Sequence, residues 1–112
     1  MFLTVTSFAS KYLEFAQYCD LVLSKHKLTA YESKILRVIT QKSLRGEIIC
    51  IHNLLDMKEI ASPATIHKEM KKLLKKNLIR FDLDKKDDRI KHLVPTAAAV
   101  AMFSEFGKHL RS

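Results

Sequence analysis

The sequence contains no tryptophan, two glycines, two prolines and two cysteines among its 112 residues. Each shortage excludes something. So little glycine and proline leaves few loops, and the chain is expected to be mostly helical. No glycine-rich stretch could cradle a phosphate group, and no nucleophile elbow occurs. Cys19 and Cys50 stand far apart without a CxxC pair, which removes a zinc pattern and a disulfide scaffold. A reduced, cytoplasmic protein is expected. No apolar run approaches the ~20 residues of a membrane span. The first basic side chain is Lys11, so the charged start of a signal peptide is missing. The five histidines, at 26, 52, 67, 92 and 109, have no metal-ligand spacing with acids or cysteines. With no paired carboxylates in an evident pocket either, the expectation is a protein that is not an enzyme. No catalytic residue, metal or cofactor is expected.

What the chain has is apolar residues, at 47%, and positive charge, at a net of +8. Its length fits one domain spanning 1–112. Residues 58–92 hold 11 Lys/Arg against 6 Asp/Glu, whereas residues 1–57 hold 7 against 5. A polyanionic partner suits that concentration of charge.

The basic excess begins on the stretch from Ser62 to Asn77. Ser62 can cap a helix, and Pro63 fits the first helical position, where its missing N–H costs nothing. Asn77 can stop the helix, because Asn tolerates the left-handed conformation. Ile66, Met70, Leu73 and Leu74 fall on one face. Ala64, Lys68, Lys71, Lys72 and Lys75 fall on the other, flanked by Thr65 and His67. One face fits a core and the other a polyanion.

Ahead of it, a helix over about residues 6–26 carries Phe8, Tyr12, Phe15, Cys19 and Val22 near one stripe. Leu13 and Leu21 widen its apolar surface beyond what one-sided burial needs. Thr29-Ala30-Tyr31-Glu32 is a capping box opening a second helix, which Leu44-Arg45-Gly46 ends. Ile48-Ile49-Cys50-Ile51 reads as a brief strand. His52 to Lys58 reads as a short helix joined tightly to the Ser62 cap, so residues 52–77 form a helix-turn-helix. The period then changes to alternation in Ile79–Leu83 and Ile90–Val94, with a polar turn between them. Residues 78–95 are thus a hairpin wing. Thr96 opens a last helix over 97–110, with Val100, Phe103, Phe106, Gly107 and Leu110 toward one side. The fold class is mainly α with a small β-hairpin wing (α+β). It is a winged helix-turn-helix of order α-α-β-α-α-β-β-α.

These residues resemble the MarR family of winged-helix transcription regulators. The resemblance rests on Ser62-Pro63-Ala64-Thr65-Ile66-His67, on Leu73 through Asn77-Leu78-Ile79, and on Asp87-Asp88-Arg89 leading to Leu93-Val94-Pro95-Thr96. Asn77 stands where the family usually has Gly, and Pro95 departs from its plain strand exit. The resemblance implies a homodimeric, sequence-specific regulator of double-stranded DNA. Ser62, Ala64, Thr65, His67 and Lys68 would meet base edges or adjacent phosphates in the major groove. Lys71, Lys72 and Lys75 would meet phosphates. Arg89 would enter the minor groove, braced by Asp87, with Lys85, Lys86 and Lys91 as auxiliary wing contacts. The terminal helices, 1–27 and 96–112, would form the dimer through Phe8, Tyr12, Phe15, Phe103 and Phe106. No effector is named by the sequence. Cys19 and Cys50 are expected to be packing residues rather than sensors. Two other readings compete: a winged-helix protein-interaction module whose lysines only solubilise it, and a non-specific architectural DNA binder.

Overall fold

The computed structural model describes residues 2–110, with side chains from residue 4 onward. Five helices and one hairpin follow in the order α1 (Phe2–Lys25), α2 (Ala30–Leu44), α3 (Ile51–Leu55), α4 (Pro63–Lys75), β1 (Ile79–Leu83), β2 (Lys91–Pro95) and α5 (Ala97–Leu110).

Local chemistry sets most of the boundaries. Thr29 caps α2 by accepting from the Glu32 N–H at 3.1 Å, while the Thr29 N–H donates back to Glu32 Oε1 at 3.2 Å. The helix stops at Gly46, whose φ of 74° is left-handed and lets the Glu47 N–H reach back to the Lys42 carbonyl at 2.9 Å. Ser62 caps α4 through the Thr65 N–H at 3.3 Å. Asn77 ends it at φ 61°, turning the Leu78 N–H onto the Leu73 carbonyl at 3.1 Å. Thr96 caps α5, accepting from the Ala99 N–H at 3.3 Å.

The brief strand expected at residues 48–51 does not form. Only one bridge remains there, Cys50 to His92, reinforced by the Leu93 N–H donating to the Ile49 carbonyl at 2.8 Å. The competing interaction is a cap: the Cys50 N–H donates to Asn53 Oδ1 at 2.9 Å, and Ile51 already belongs to α3. The sheet is therefore two-stranded, with β1 antiparallel to β2 and Phe81 opposite Leu93.

The core gathers one face from α2, α3, α4, the hairpin and α5, with Val22 and Leu23 of α1 half-buried against it. Ile35, Leu36 and Ile39 come from α2, Leu54 from α3, and Ile66, Met70 and Leu73 from α4. Ile79 and Leu93 come from the hairpin, and Ala99 and Met102 from α5. The inward side of α5 is thus rotated from the expected one: Ala99 and Met102 are buried, Phe103 and Phe106 are half-buried, and Leu110 is exposed. The molecule is elongated, 57 × 26 × 26 Å. At 24 residues α1 is the longest helix, about 36 Å at ~1.5 Å per residue.

Candidate nucleic-acid interface

The Ser62 hydroxyl accepts from the Thr65 N–H and donates to Thr65 Oγ1 at 3.1 Å, so it is committed to the helix cap. Ala64, His67, Lys68, Lys71 and Lys75 are exposed along α4. Among the described residues, Lys68, Lys71 and Lys75 make no ion pair. Lys72 differs. Its ammonium lies 3.4 Å from Glu69 Oε1, and Glu69 is buried. The basic face of α4 is therefore the stripe Ala64, Lys68, Lys71, Lys75, while Lys72 is turned toward the chain's own carboxylate.

The wing tip is built on two aspartates. Asp84 accepts from the backbone N–H groups of Lys86 at 2.9 Å and Asp87 at 3.0 Å, and pairs with His92 Nε2 at 3.2 Å. Asp87 then holds Arg89 three ways. Arg89 Nε donates to Oδ1 at 3.0 Å, Nη2 donates to Oδ2 at 3.1 Å, and the Arg89 backbone N–H donates to Oδ1 at 3.0 Å. This fork is the bidentate geometry that orients a guanidinium. Even so braced, the Arg89 side chain is 90% exposed. Lys85 and Lys86 are exposed beside it, and Lys91 lies over the Phe81 ring at 5.4 Å.

The Arg89 side-chain bonds, then its backbone bond, hold the Asp87 carboxyl below its ordinary value of 3.8. A depressed carboxylate keeps its stabilising contribution above the ordinary value and loses it as pH falls through the lowered one. The brace is thus expected to be constant from about pH 8 down to about pH 5 and to fail only in stronger acid. The Arg89 Nε–H resonance measures it. A titration of that signal near neutral pH would show that the fork does not form in solution.

Two residues of this region were not singled out from the sequence. His52, in the first turn of α3, lines with Cys50, Leu55, Arg89, Ile90 and Lys91 a cleft of about 460 Å³ between α3 and the wing. No spacing in the sequence pairs residue 52 with 89. Asp84 was legible in principle, since Asp commonly accepts from backbone N–H groups two or three residues onward.

The aromatic residues of the terminal helices divide. Phe15 and Tyr18 stack on His109, with centroids 6.1 and 3.9 Å away, and Tyr18 meets Phe106 edge-on at 6.1 Å. Phe103 and Phe106 pack against the chain's own core. Phe8 and Tyr12 remain exposed, with Val5 and Leu13. Burial, then the neighbouring Asp20 charge, pushes the Cys19 thiol up, which disfavours the reactive thiolate. Among the described residues no group of three His, Cys, Asp or Glu gathers as a metal site, and no helix is long and apolar enough to cross a membrane.

A capped basic helix behind a short partner helix, followed by a hairpin with an outward arginine, defines a winged-helix protein. Its fold is MarR-like. It is similar to MepR from S. aureus in a MepR–DNA complex, with a TM-score of 0.74 and 17% identity over 93% of this chain and 75% of that one. YusO from Bacillus subtilis matches at TM-score 0.61 and 18% identity over 96% and 73%. A point mutant of ZitR from Lactococcus lactis matches at TM-score 0.56 and 28% identity over 74% and 53%. No protein-family model matches the chain. No curated protein is significantly similar to it in sequence.

Proposed function

We propose that the protein is a sequence-specific, double-stranded DNA-binding transcription regulator that acts as a homodimer in the cytoplasm and catalyses nothing. The observation that carries this reading is Arg89, held by Asp87 yet 90% exposed. An oriented, desolvation-ready guanidinium on a hairpin suits the negative potential of a narrow minor groove. α4 would enter the major groove, with Ala64, Thr65, His67 and Lys68 toward bases and Lys71 and Lys75 on phosphates. Thr65 accepts the Ser62 proton and so keeps its own for a base or phosphate acceptor. Ser62 serves this surface as the cap, Lys72 as a partner of Glu69, and Lys85, Lys86 and Lys91 add charge at the wing. The solved MepR–DNA complex supports duplex DNA as the partner of this fold.

Selection from a random duplex library at near-physiological salt tests the proposal. The expected product is an inverted repeat with half-sites about one helical turn apart. Lys68→Ala and Arg89→Ala should each weaken binding to it by roughly 1–3 kcal/mol, with both variants still folded. Retention on DNA without enrichment would mean an architectural binder. No retention, with both variants behaving like the unmodified protein, would mean a protein-interaction module.

A further inference from the structure

Two carboxylates are buried where the sequence put only a capping residue and a lysine-rich helix. Glu32 is 1% exposed and Glu69 is 6% exposed. Both sit between α4 and the turn joining α1 to α2. Lys76, at the end of α4, donates to Glu32 Oε2 at 2.6 Å and to the Lys27 carbonyl at 2.7 Å. Lys27 presents that carbonyl from a left-handed conformation, φ 56°, at the close of α1, where the Leu28 N–H returns to the Leu23 carbonyl at 3.0 Å. Thr29 donates from its hydroxyl to Glu69 Oε2 at 3.3 Å while capping α2. Lys72 completes the set on Glu69 Oε1.

We propose that Glu32, Glu69 and Lys76 are positioning residues, a clamp of two buried carboxylates and a half-exposed lysine that sets the angle at which α4 meets DNA. The inference rests on the DNA-binding reading above. Stability alone does not account for the clamp, because ion pairs whose lysines stay about a third or more exposed contribute little to it. Geometry does. Glu69 on α4 and Lys76 at its C-cap are seven positions apart, about 10 Å at ~1.5 Å per residue. Attachment at two separated points adds polar, directional restraints on the rotation and the tilt of a helix to the packing of Ile66, Met70 and Leu73. The clamp also divides the lysines of α4. Lys72 and Lys76 are committed to buried carboxylates, and Lys68, Lys71 and Lys75 remain for phosphates.

The test compares the duplex obtained by selection with a random-sequence duplex of equal length. Lys76→Met is expected to lose at least about tenfold in affinity for the selected duplex, and less than about twofold for the random one. Its salt dependence should stay the same, since no phosphate contact is lost. Backbone amides of α4 should exchange faster with solvent in the free protein. Lys76→Met leaves Glu32 buried and unpaired, so a second variant separates folding from positioning. In Glu32→Gln with Lys76→Met the amide can still accept from the Thr29 N–H, because Gln also serves in a capping box. That double variant should regain the melting temperature lost in Lys76→Met but not the lost discrimination. Lys76→Arg should restore discrimination.

Equal losses on both duplexes, with the salt slope reduced by about one, would make Lys76 a phosphate contact and overturn the clamp. Full discrimination by the double variant would overturn it as well. If the unmodified protein does not distinguish the duplexes, the regulator reading falls. Exchange in the double variant, whose melting temperature is regained, then decides the clamp alone: faster α4 exchange there upholds it, and unchanged exchange overturns it.

Discussion

Phe8→Glu combined with Tyr12→Glu is expected to yield a monomer near the chain mass of 12.9 kDa, whereas the unmodified protein should run at twice that mass. The reason lies in what α1 leaves uncovered. Phe8 is 64% exposed and Tyr12 is 66% exposed, and Val5 and Leu13 are exposed beside them. Val5, Phe8 and Tyr12 recur at helical spacing, so they form one stripe on a rod that projects from an elongated molecule. Monomeric proteins seldom expose so continuous an apolar surface. In an isologous interface each substitution appears twice, so the pair would place four carboxylates in an apolar contact where Lys11, over the Phe8 ring at 6.0 Å, supplies one cation per protomer. DNA binding should fall with assembly. A dimer holding two half-sites gains an effective concentration that a monomer loses, on the order of 10²–10⁴ in apparent affinity. Light scattering and binding to the selected duplex measure the two effects. An unmodified protein at the monomer mass, or a variant that stays dimeric, would remove this face from the dimer proposal.

Ile66→Ala should destabilise the domain by about 2–5 kcal/mol, a large share of the ~5–15 kcal/mol that holds a typical domain together. Ile66 is fully buried in the first turns of α4, in the cluster with Ile35, Leu36, Ile39 and Leu73. Truncating it removes transfer free energy and leaves a cavity that rigid neighbours fill only in part. Lys68, two residues later, is exposed and unpaired, so Lys68→Ala should change stability by less than about 0.5 kcal/mol. The same helix thus offers a stability variant and a binding variant. Urea unfolding of both would check the assignment of faces. A loss below about 1 kcal/mol for Ile66→Ala would mean that α4 is not seated as described.

The parts of this molecule that were legible share one property: they are local. Thr29 with Glu32, Ser62 before Pro63, Gly46 and Asn77 each act within one turn of chain, so residue type and spacing are enough. Asp87 and Arg89 are local too, two residues apart across a tight turn, but the family resemblance rather than spacing pointed to their pairing. The 48–51 run misled because β-branched character competed with a cap that also lay within three residues, and Asn53 prevailed. Spacing marked the charged side of α4, but it did not separate Lys72 from Lys71 or show that Glu69 is buried.

By itself, then, the sequence determined the helix starts and stops, the two apolar periods, the wing and the region of positive charge, because each depends on neighbours a few bonds away. Tertiary structure alone decided which charges are free. Thr29 and Glu69 meet across 40 residues, and Lys76 and Glu32 across 44. It also decided which aromatic residues are spent inside the chain, since Tyr18 finds His109 and Phe106 only when α1 and α5 pack. The physical reason is the same in both cases. The environment of a side chain far from its partners in sequence is set by how helices lie against one another, and that arrangement is a property of the whole core.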